Sequence, residues 1–402
     1  MKQAIIFVEC NTSGTGVLFF QKAIELGYEP VLLAKNKSFY RFCYAVTTYQ
    51  VDTENVEQIM VCLSQLRSQY EIKGIWTTSE YYTVIVAKVA KKLKLPAASP
   101  EATGYCRNKF TQRELLSKNG FQTPWYYKIY SVNELVNLEK ALNYPCIIKP
   151  VDSSGSTGVK LCYSIDELRE MVTVLTNSPI NERGIKQESY VLIEEYIQGE
   201  EFSVEILNGK VIGFTKKYLG KLPHFVETGH DFPYFFQSDH HDLFKQEIER
   251  LIHTFGLTFG PLHIEFRIKN DQLYVIEINA RLAGGYIPQI ILCSYGIDAI
   301  ELTLRTIIGE KAVPVPDLSL YSSIRFIMAE KCGIYAGYTQ KTKTSKAFMP
   351  NEIAIYKNIG NEISINNDFR DRIGHVIATN PVQSEAIKMA EECIRDITLK
   401  IK

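Results

Sequence analysis

The chain has 402 residues, with 45 Lys plus Arg against 45 Asp plus Glu and a formal net charge of zero. That length suits two or three domains with a substantial core, and the charge balance leaves no basic field for nucleic acid, so small-molecule chemistry is expected. Nine cysteines, scattered from Cys10 to Cys393 without a CxxC pair, read as reduced thiols of a cytoplasmic protein, with neither a disulfide framework nor a zinc site. The apolar run over 4–8 is too short for a signal segment and no run approaches membrane-spanning length, so no membrane partner is expected.

Residues 4–8 read as a strand, Val17, Phe20 and Ile24 as a helical stripe stopping at Gly27, and 30–34 as a second strand. A helix over 54–70, a strand around 74–77 and a helix over 81–93 complete a βαβ series, implying a parallel sheet with helices on both faces. Such sheets bind ligands at the carboxyl ends of their strands, where the loops here are 9–16 and Thr78-Ser79-Glu80. The first loop lacks the third glycine and the acidic partner of a dinucleotide fingerprint; a phosphate site, a small-substrate loop and a plain tight turn all stay open. Glu80 either meets a substrate amine or serves the first turn of its helix, where a carboxylate is favourable.

From about 98 the character changes. Ser99-Pro100 opens a helix, Asn108-Lys109 falls in a second helical run ending at Asn119-Gly120, and capping boxes at Ser131/Glu134 and Ser164/Glu167 start two more. Between the last two runs an apolar strand over 144–150 ends in Lys149-Pro150, and Asp152-Ser153-Ser154-Gly155-Ser156-Thr157-Gly158 leads into a strand over 159–162. Backbone N–H groups of so small and hydroxylated a loop can approach an anion. No Gly-Lys-Ser/Thr opens a helix, so a flexible flap between strands fits better than a P-loop, and Lys149 complements a phosphate by charge. The plain alternative is a turn. Over 190–205 two apolar strands flank a polar linker that bends at Gly199; Glu194 or Glu201 could accept from ribose hydroxyls or an exocyclic amine, the alternative being an acidic surface turn.

The most informative stretch is 263–281, two apolar-alternating runs around the turn-forming Lys269-Asn270-Asp271-Gln272, hence an antiparallel hairpin. His263, Glu265 and Arg267 share one face of the first strand; Glu277, Asn279 and Arg281 share one face of the second. If the polar faces coincide, two carboxylates and an amide oxygen converge about 5 Å apart beside a guanidinium, and carboxylates so close need a cation between them. The all-oxygen donor set suits Mg²⁺; the alternative is a half-buried hairpin with a structural ion pair. Beyond 302 a strand over 322–328, further strands through 356 and an amphipathic helix over 382–399 read as a small closing subdomain without legible chemistry. His240 and His241 are expected on a solvated helix start, while His224 and His263 sit closer to the proposed site without a task.

In this order, Asn108-Lys109, Ile148-Lys149-Pro150 with its flap, Ile193-Glu194-Glu195-Tyr196-Ile197 with Gly199 to Ser203, and Glu265, Glu277, Asn279 and Arg281 resemble the ATP-grasp superfamily of carboxylate-amine ligases over roughly 1–310. Glu227-Thr228-Gly229-His230 followed by 281–288 is similar to its dipeptide-forming L-amino-acid ligases of the bacilysin-pathway type. The resemblance implies an α/β fold of ATP-grasp architecture: an N-terminal Rossmann-like parallel domain over 1–98, a central lid over 99–195, a mixed-sheet catalytic domain over 196–310 and a closing subdomain over 311–402. It implies ATP and two Mg²⁺ ions, with Mn²⁺ as a substitute. Lys109 and Lys149 would touch phosphates under a flap containing Ser153, Ser154, Gly155, Ser156 and Gly158. Glu194, Glu195 and Ile197 would line the adenine, Glu201 would hold the ribose, and Glu265, Glu277 and Asn279 would bind metal. Arg281 would grip the substrate carboxylate and its acyl phosphate, with Glu80, Glu227 and His230 in the amino-acid pocket. His230 is expected either to handle the amine proton near neutrality or to hydrogen-bond there. Gly285 replaces a bulky aromatic of the bacilysin-type ligase, so the pocket is expected to be roomier. The resulting expectation is ATP-dependent ligation of two amino acids. A different carboxylate or amine, as in purine-pathway ligases or carboxylases, and a non-catalytic binding module remain open, as does a homodimer.

Overall fold

The computed structural model describes residues 1–12, 14–40, 46–181, 184–237, 239–341 and 351–402. Ser13 of the first loop, and residues 342–350 within the region of further expected strands, therefore lie outside the described residues. The first sheet has strands β1 (Lys2–Val8), β2 (Glu29–Ala34), β3 (Thr47–Gln50) and β4 (Tyr70–Trp76), all parallel in the order β3-β2-β1-β4. Both of its faces are apolar: Ile6, Val31 and Leu33 pack against the helices Val56–Leu66 and Thr83–Leu93, whereas Ile5, Phe7 and Leu32 pack against Thr15–Glu25 and Ala299–Ile307. This explains why its strands read as continuous apolar runs rather than alternating ones. β3 escapes that reading because Thr47–Gln50 lies at the edge and is half exposed. The chain runs to opposite sides from β1, so the loops after β1 and β4 flank a switch point where a ligand crevice forms. Asn11 ties them together, its N–H donating to Thr78 Oγ1 and its side-chain amide to Thr78 O, each at 2.9 Å.

Helices Pro100–Tyr105 and Lys109–Lys118 start where their caps place them, Ser99 accepting from Ala102 N and Asn108 from Thr111 N. The second sheet, β5 (Tyr126–Ile129), β6 (Cys146–Pro150), β7 (Lys160–Cys162) and β8 (Val191–Glu195), is antiparallel in the order β5-β8-β6-β7. The flap is the connection from β6 to β7. Ser164 caps Ile165–Thr176 as expected, but Ser131 makes no capping bond to the backbone and is followed only by a short turn and the four-residue helix Leu135–Leu138.

The large sheet has eight strands in the order β13-β12-β9-β10-β11-β14-β18-β16, every neighbouring pair antiparallel. Its members are β9 (Glu201–Leu207), β10 (Lys210–Leu219), β11 (Glu227–Tyr234), β12 (Pro261–Lys269), β13 (Gln272–Asn279), β14 (Tyr321–Met328), β16 (Glu352–Ile355) and β18 (Arg372–Asn380). The mixture of strand directions therefore lies between sheets, not within this one. β14, β16 and β18 extend the same sheet beyond 310, while β15 (Gly333–Gln340), β17 (Glu362–Ile363) and β19 (Ile397–Ile401) form a small separate sheet. The C-terminal helix ends at Asp396, earlier than its apolar stripe suggested, because Ile397 begins β19 and pairs with Gln340. His240 and His241 do start a helix, His240–Thr254, but His241 is half-buried, its ring 5.1 Å from that of Phe214 and 5.4 Å from that of Phe235. No single helix among the described residues is long and apolar enough to cross a membrane.

Candidate active site

A cavity of about 950 Å³ opens where the carboxyl ends of β1 and β4, the flap and the polar face of the large sheet meet, at the upper end of the ~300–1,000 Å³ usual for small-molecule sites. Of the sequence-nominated residues, His230 and Gly158 do not line it and the others do. His230 lies behind the wall at 0% exposure, and a side chain on Gly158 would point at Leu175 and Pro150.

The acidic floor comes from the β12–β13 hairpin. Asn270 and Asp271 adopt φ of 51° and 58°, the pair of positive values that a tight two-residue hairpin turn needs. Register sets Glu265 directly opposite Glu277 and His263 opposite Asn279. Beyond Glu265 the register jumps, so that Phe266 faces Val275 and Ile276 is left unpaired as a bulge. The bulge switches parity: Leu273 and Val275 pack in the same core as Ile278, although strict alternation would put them on opposite faces. Arg113 Nη2 donates to the carbonyl freed at Ile276, at 2.6 Å.

Each floor carboxylate is met by a cation. Glu265 lies 3.0 Å from Lys217 Nζ and 3.0 Å from His263 Nε2, and Glu277 lies 2.9 Å from Lys109 Nζ. Despite its burial, Glu265 is held well below the usual carboxylate range, chiefly by Lys217 and His263. His263 pays a burial penalty, yet Glu205 at 2.9 Å and Glu265 raise it to about 9. Glu265, Glu277 and Asn279 fit a hard divalent cation by their chemistry, two carboxylates and an amide oxygen at facing positions of one hairpin. Mg²⁺ takes few protein carboxylates and fills its octahedron with water and phosphate oxygens.

Lys109 also donates to the Ser153 carbonyl at 2.7 Å, which ties the start of the flap to the floor. Lys149 projects from β6 onto Glu194 at 2.5 Å; burial, with Arg113 and Lys109 nearby, lowers its ammonium to about 8 against the pull of Glu194. Glu194 is held by Arg113 as well, at 2.6 Å, so its carboxylate is engaged by two cations although the residue does line the cavity. Glu195 pairs with Lys269 at 2.7 Å, the Ile197 carbonyl accepts from Arg267 at 3.0 Å, and Glu201 is shared by Arg267 and Lys217. In the flap, Ser153 Oγ accepts from Gln187 at 2.6 Å, Ser154 Oγ lies 3.4 Å from the Tyr81 hydroxyl, and Ser156 Oγ donates to the Phe225 carbonyl at 3.0 Å.

At the other end Arg281 is clasped by Glu80, which also takes a bond from Arg107 at 3.0 Å. Glu80, considered for a substrate amine or for the first turn of its helix, stands in the first turn of Glu80–Tyr82, and the two guanidinium groups keep its buried carboxylate ionised. Glu227 lies between Lys217 at 2.7 Å and Arg372 at 2.6 Å. His230 does not titrate near neutrality as expected: complete burial lowers its imidazole to about 3, and neither ring nitrogen has a hydrogen-bond partner. A Cβ on Gly285 would stand 2.5 Å from His230 Nε2, so the imidazole lies directly behind this cavity-lining glycine.

Sequence reading missed Lys217 and the C-terminal wall. Lys217 is 2% exposed by its side chain and pairs in register with both Glu201 and His230, placing one ammonium among Glu201, Glu227 and Glu265. The available signal was Thr215 and Lys217 two apart in the run over 210–219, a polar stripe facing inward. Tyr356, Phe369 and Arg372 line the cavity from beyond 310, where no motif marks them.

Residues 142–289 match the family model described as ATP-grasp domain. The protein y4rH of Sinorhizobium fredii is 28% identical over 403 residues, covering 100% of this chain and 84% of its own. The ATP-grasp enzyme fsqD of Aspergillus fumigatus is 24% identical over 371 residues, covering 77% of this chain and 61% of its own. Among solved structures, an L-amino acid ligase from Bacillus licheniformis superposes with a TM-score of 0.81 at 22% identity over 100% of both chains.

Proposed function

Because the chain carries an ATP-grasp domain over 142–289, we propose that it is an ATP- and Mg²⁺-dependent carboxylate-amine ligase that joins the carboxylate of one L-amino acid to the amine of another, releasing ADP and phosphate. The observation that carries this reading is the juxtaposition in one cleft of the Glu265/Glu277/Asn279 face with Lys109 at one side and Arg281 at the other. The purine-pathway alternative, which would be expected to use a phosphorylated substrate, finds no Lys or Arg lining the cavity in the described residues of the loops after β1 and β4; Lys357, Arg370 and Arg372, which do line it, come from the C-terminal wall. We retain divisions at 98 and 195 as a proposal, the passage from the second sheet to the large sheet falling between Glu195 and Glu201; 310 is no sheet boundary, since β14, β16 and β18 continue the large sheet.

In this proposal Lys109 and Lys149 bind the nucleotide phosphates, offsetting the repulsion between a carboxylate nucleophile and an anionic γ-phosphoryl group. Glu265, Glu277 and Asn279 hold Mg²⁺, which supplies further charge neutralisation when bound. Arg281 orients the substrate carboxylate for attack on the γ-phosphoryl group; the acyl phosphate formed is then attacked by the deprotonated amine, phosphate leaves, and Arg281 stabilises the tetrahedral oxyanion. Glu227, ionised and pinned by Lys217 and Arg372, attracts an ammonium to the same end. His230, whose Nε2 stands 3.5 Å from Glu227 Oε2, lies buried behind it and shapes the pocket. The flap excludes water that would hydrolyse the intermediate.

The test is phosphate release from ATP and Mg²⁺ across the twenty amino acids, singly and in pairs, with mass spectrometry of the products. Release that needs a particular pair, and a product equal to their sum less water, is the expected result. Silence across the matrix would remove the dipeptide assignment.

A further inference from the structure

The C-terminal extension touches the flap through one aromatic ring. A Cβ on Gly155 would stand 2.5 Å from Phe369 Cδ1 and 3.1 Å from Cε1, so the ring lies directly on the flap backbone at a residue whose φ is +63°. Phe369 itself is 38% exposed and lines the cavity; it is not a core residue displaced to the surface. The turn that carries it, Phe369–Asp371, is fixed from several sides. Asp368 accepts from Arg370 N at 2.9 Å, Asp371 accepts from Asn366 N at 2.7 Å and Asn367 N at 2.8 Å, and the Asp371 carbonyl accepts from Ala329 N at 2.8 Å. Arg372 follows at once and donates to the Glu227 carboxylate at 2.6 Å and to the Glu227 carbonyl at 3.2 Å. The flap has a second tether, from Ser156 to the carbonyl of Phe225 in the segment leading into β11, two residues before Glu227.

We propose that Phe369 is a positioning residue for the flap. One short, rigid segment bears on the flap backbone at Gly155 and on the carboxylate of Glu227, so the position of the flap and the occupancy of the amino-acid end of the cleft are mechanically linked. This rests on the ligase reading above. Without the ring the phosphate-binding and metal-binding side chains stay in place, but the flap is held by hydrogen bonds alone and water reaches the activated carboxyl group. The acyl phosphate is then hydrolysed, with the same ATP consumed and phosphate released but carboxylate regenerated in place of the amide.

The experiment is hydrogen exchange of the full chain with and without the non-hydrolysable nucleotide AMP-PNP plus Mg²⁺, in wild type, Phe369→Ala, Phe369→Tyr and Gly155→Ala. Where a productive amino-acid pair is known, phosphate released per amide bond is measured alongside. The expected result is nucleotide protection of 152–159 in wild type and Phe369→Tyr that falls roughly fivefold or more in Phe369→Ala, while the β12–β13 hairpin stays protected in all of them. Gly155→Ala, whose Cβ would press on the same ring from the flap side, is expected to lose the same flap protection. Flap protection in Phe369→Ala equal to wild type, with the hairpin protected, overturns this inference and leaves the ligase reading standing. Absence of any nucleotide protection in wild type overturns both.

Discussion

Glu80 and Arg281, 201 residues apart in sequence, form a two-point ion pair in which the carboxylate accepts from Nε at 2.8 Å and from Nη2. Burial opposes the charge on each, and each is nevertheless kept ionised, Arg281 mainly by Glu80 and Glu80 by Arg281 and Arg107. A loop of the parallel sheet thereby aims the guanidinium supplied from the end of the hairpin.

Arg281→Ala should lower amide formation about 10²- to 10³-fold, the usual effect of removing one oxyanion donor, with binding of AMP-PNP and Mg²⁺ nearly unchanged. Glu80→Gln keeps the shape and loses the charge, so a smaller fall, about tenfold, is expected. Initial rates and nucleotide titrations distinguish these; equal rates for Arg281→Ala and wild type would sink the assignment.

Glu277→Gln removes one of two facing carboxylates without changing volume. Turnover should drop at least about 100-fold at any Mg²⁺ concentration, with the circular dichroism spectrum and melting temperature retained. A mutant of near-normal rate would exclude the metal face.

Lys217 is the common cation of Glu201, Glu227 and Glu265, and its ammonium is held well above its ordinary range by them in spite of burial. Lys217→Met leaves buried Glu201 and half-buried Glu227 and Glu265 without their shared partner, a change expected to cost at most the loss of about 3–5 kcal/mol typical of a broken buried pair. Urea denaturation should show it, and a loss below about 1 kcal/mol would mean that water or neighbouring cations already satisfy the cluster.

The buried Lys149 gives two pH effects of opposite sign. Its folded value of about 8 lies below the usual 10.5, so between these the unfolded chain binds more protons and this group's contribution to stability rises with pH. Phosphate affinity needs the ammonium and should fall across the same window, by about tenfold one pH unit above the folded value. Stability and ATP affinity of wild type and Lys149→Met, compared from pH 7 to 10, check both; parallel curves for the two proteins would refute the assignment.

Gly285→Ala brings a Cβ to 2.5 Å from His230 Nε2 at a backbone φ of +59°. A destabilisation of about 1–3 kcal/mol is expected from overpacking and backbone strain. His230→Ala in the same chain should recover part of it, and thermal melts of the three variants measure the coupling.

The sequence by itself determined features that depend on a few neighbouring residues. Buried strands declare themselves as apolar runs, as in Lys2–Val8 and Cys146–Pro150; Ser99 and Ser164 mark their helices because a cap acts within three residues; and the turn at Asn270-Asp271 sets the hairpin that faces Glu265 with Glu277. The oxygen donor set followed from that hairpin, and the ATP-grasp resemblance rested on the order of motifs from Asn108-Lys109 to Arg281. What the tertiary structure decided depends on contacts between distant segments. The bulge at Ile276 alters which residues of β13 meet the core, and no alternation pattern encodes it because it is selected by packing against β12 and the core beneath. Lys217 becomes the hub of three glutamates, Phe369 and Arg372 enter the cleft from the far end of the chain, and His230 is kept neutral, all through burial and charge neighbours assembled from separate strands. Desolvation and Coulomb energy depend on distance in space, so a residue's ionisation and partners are fixed only once the sheets have closed around it.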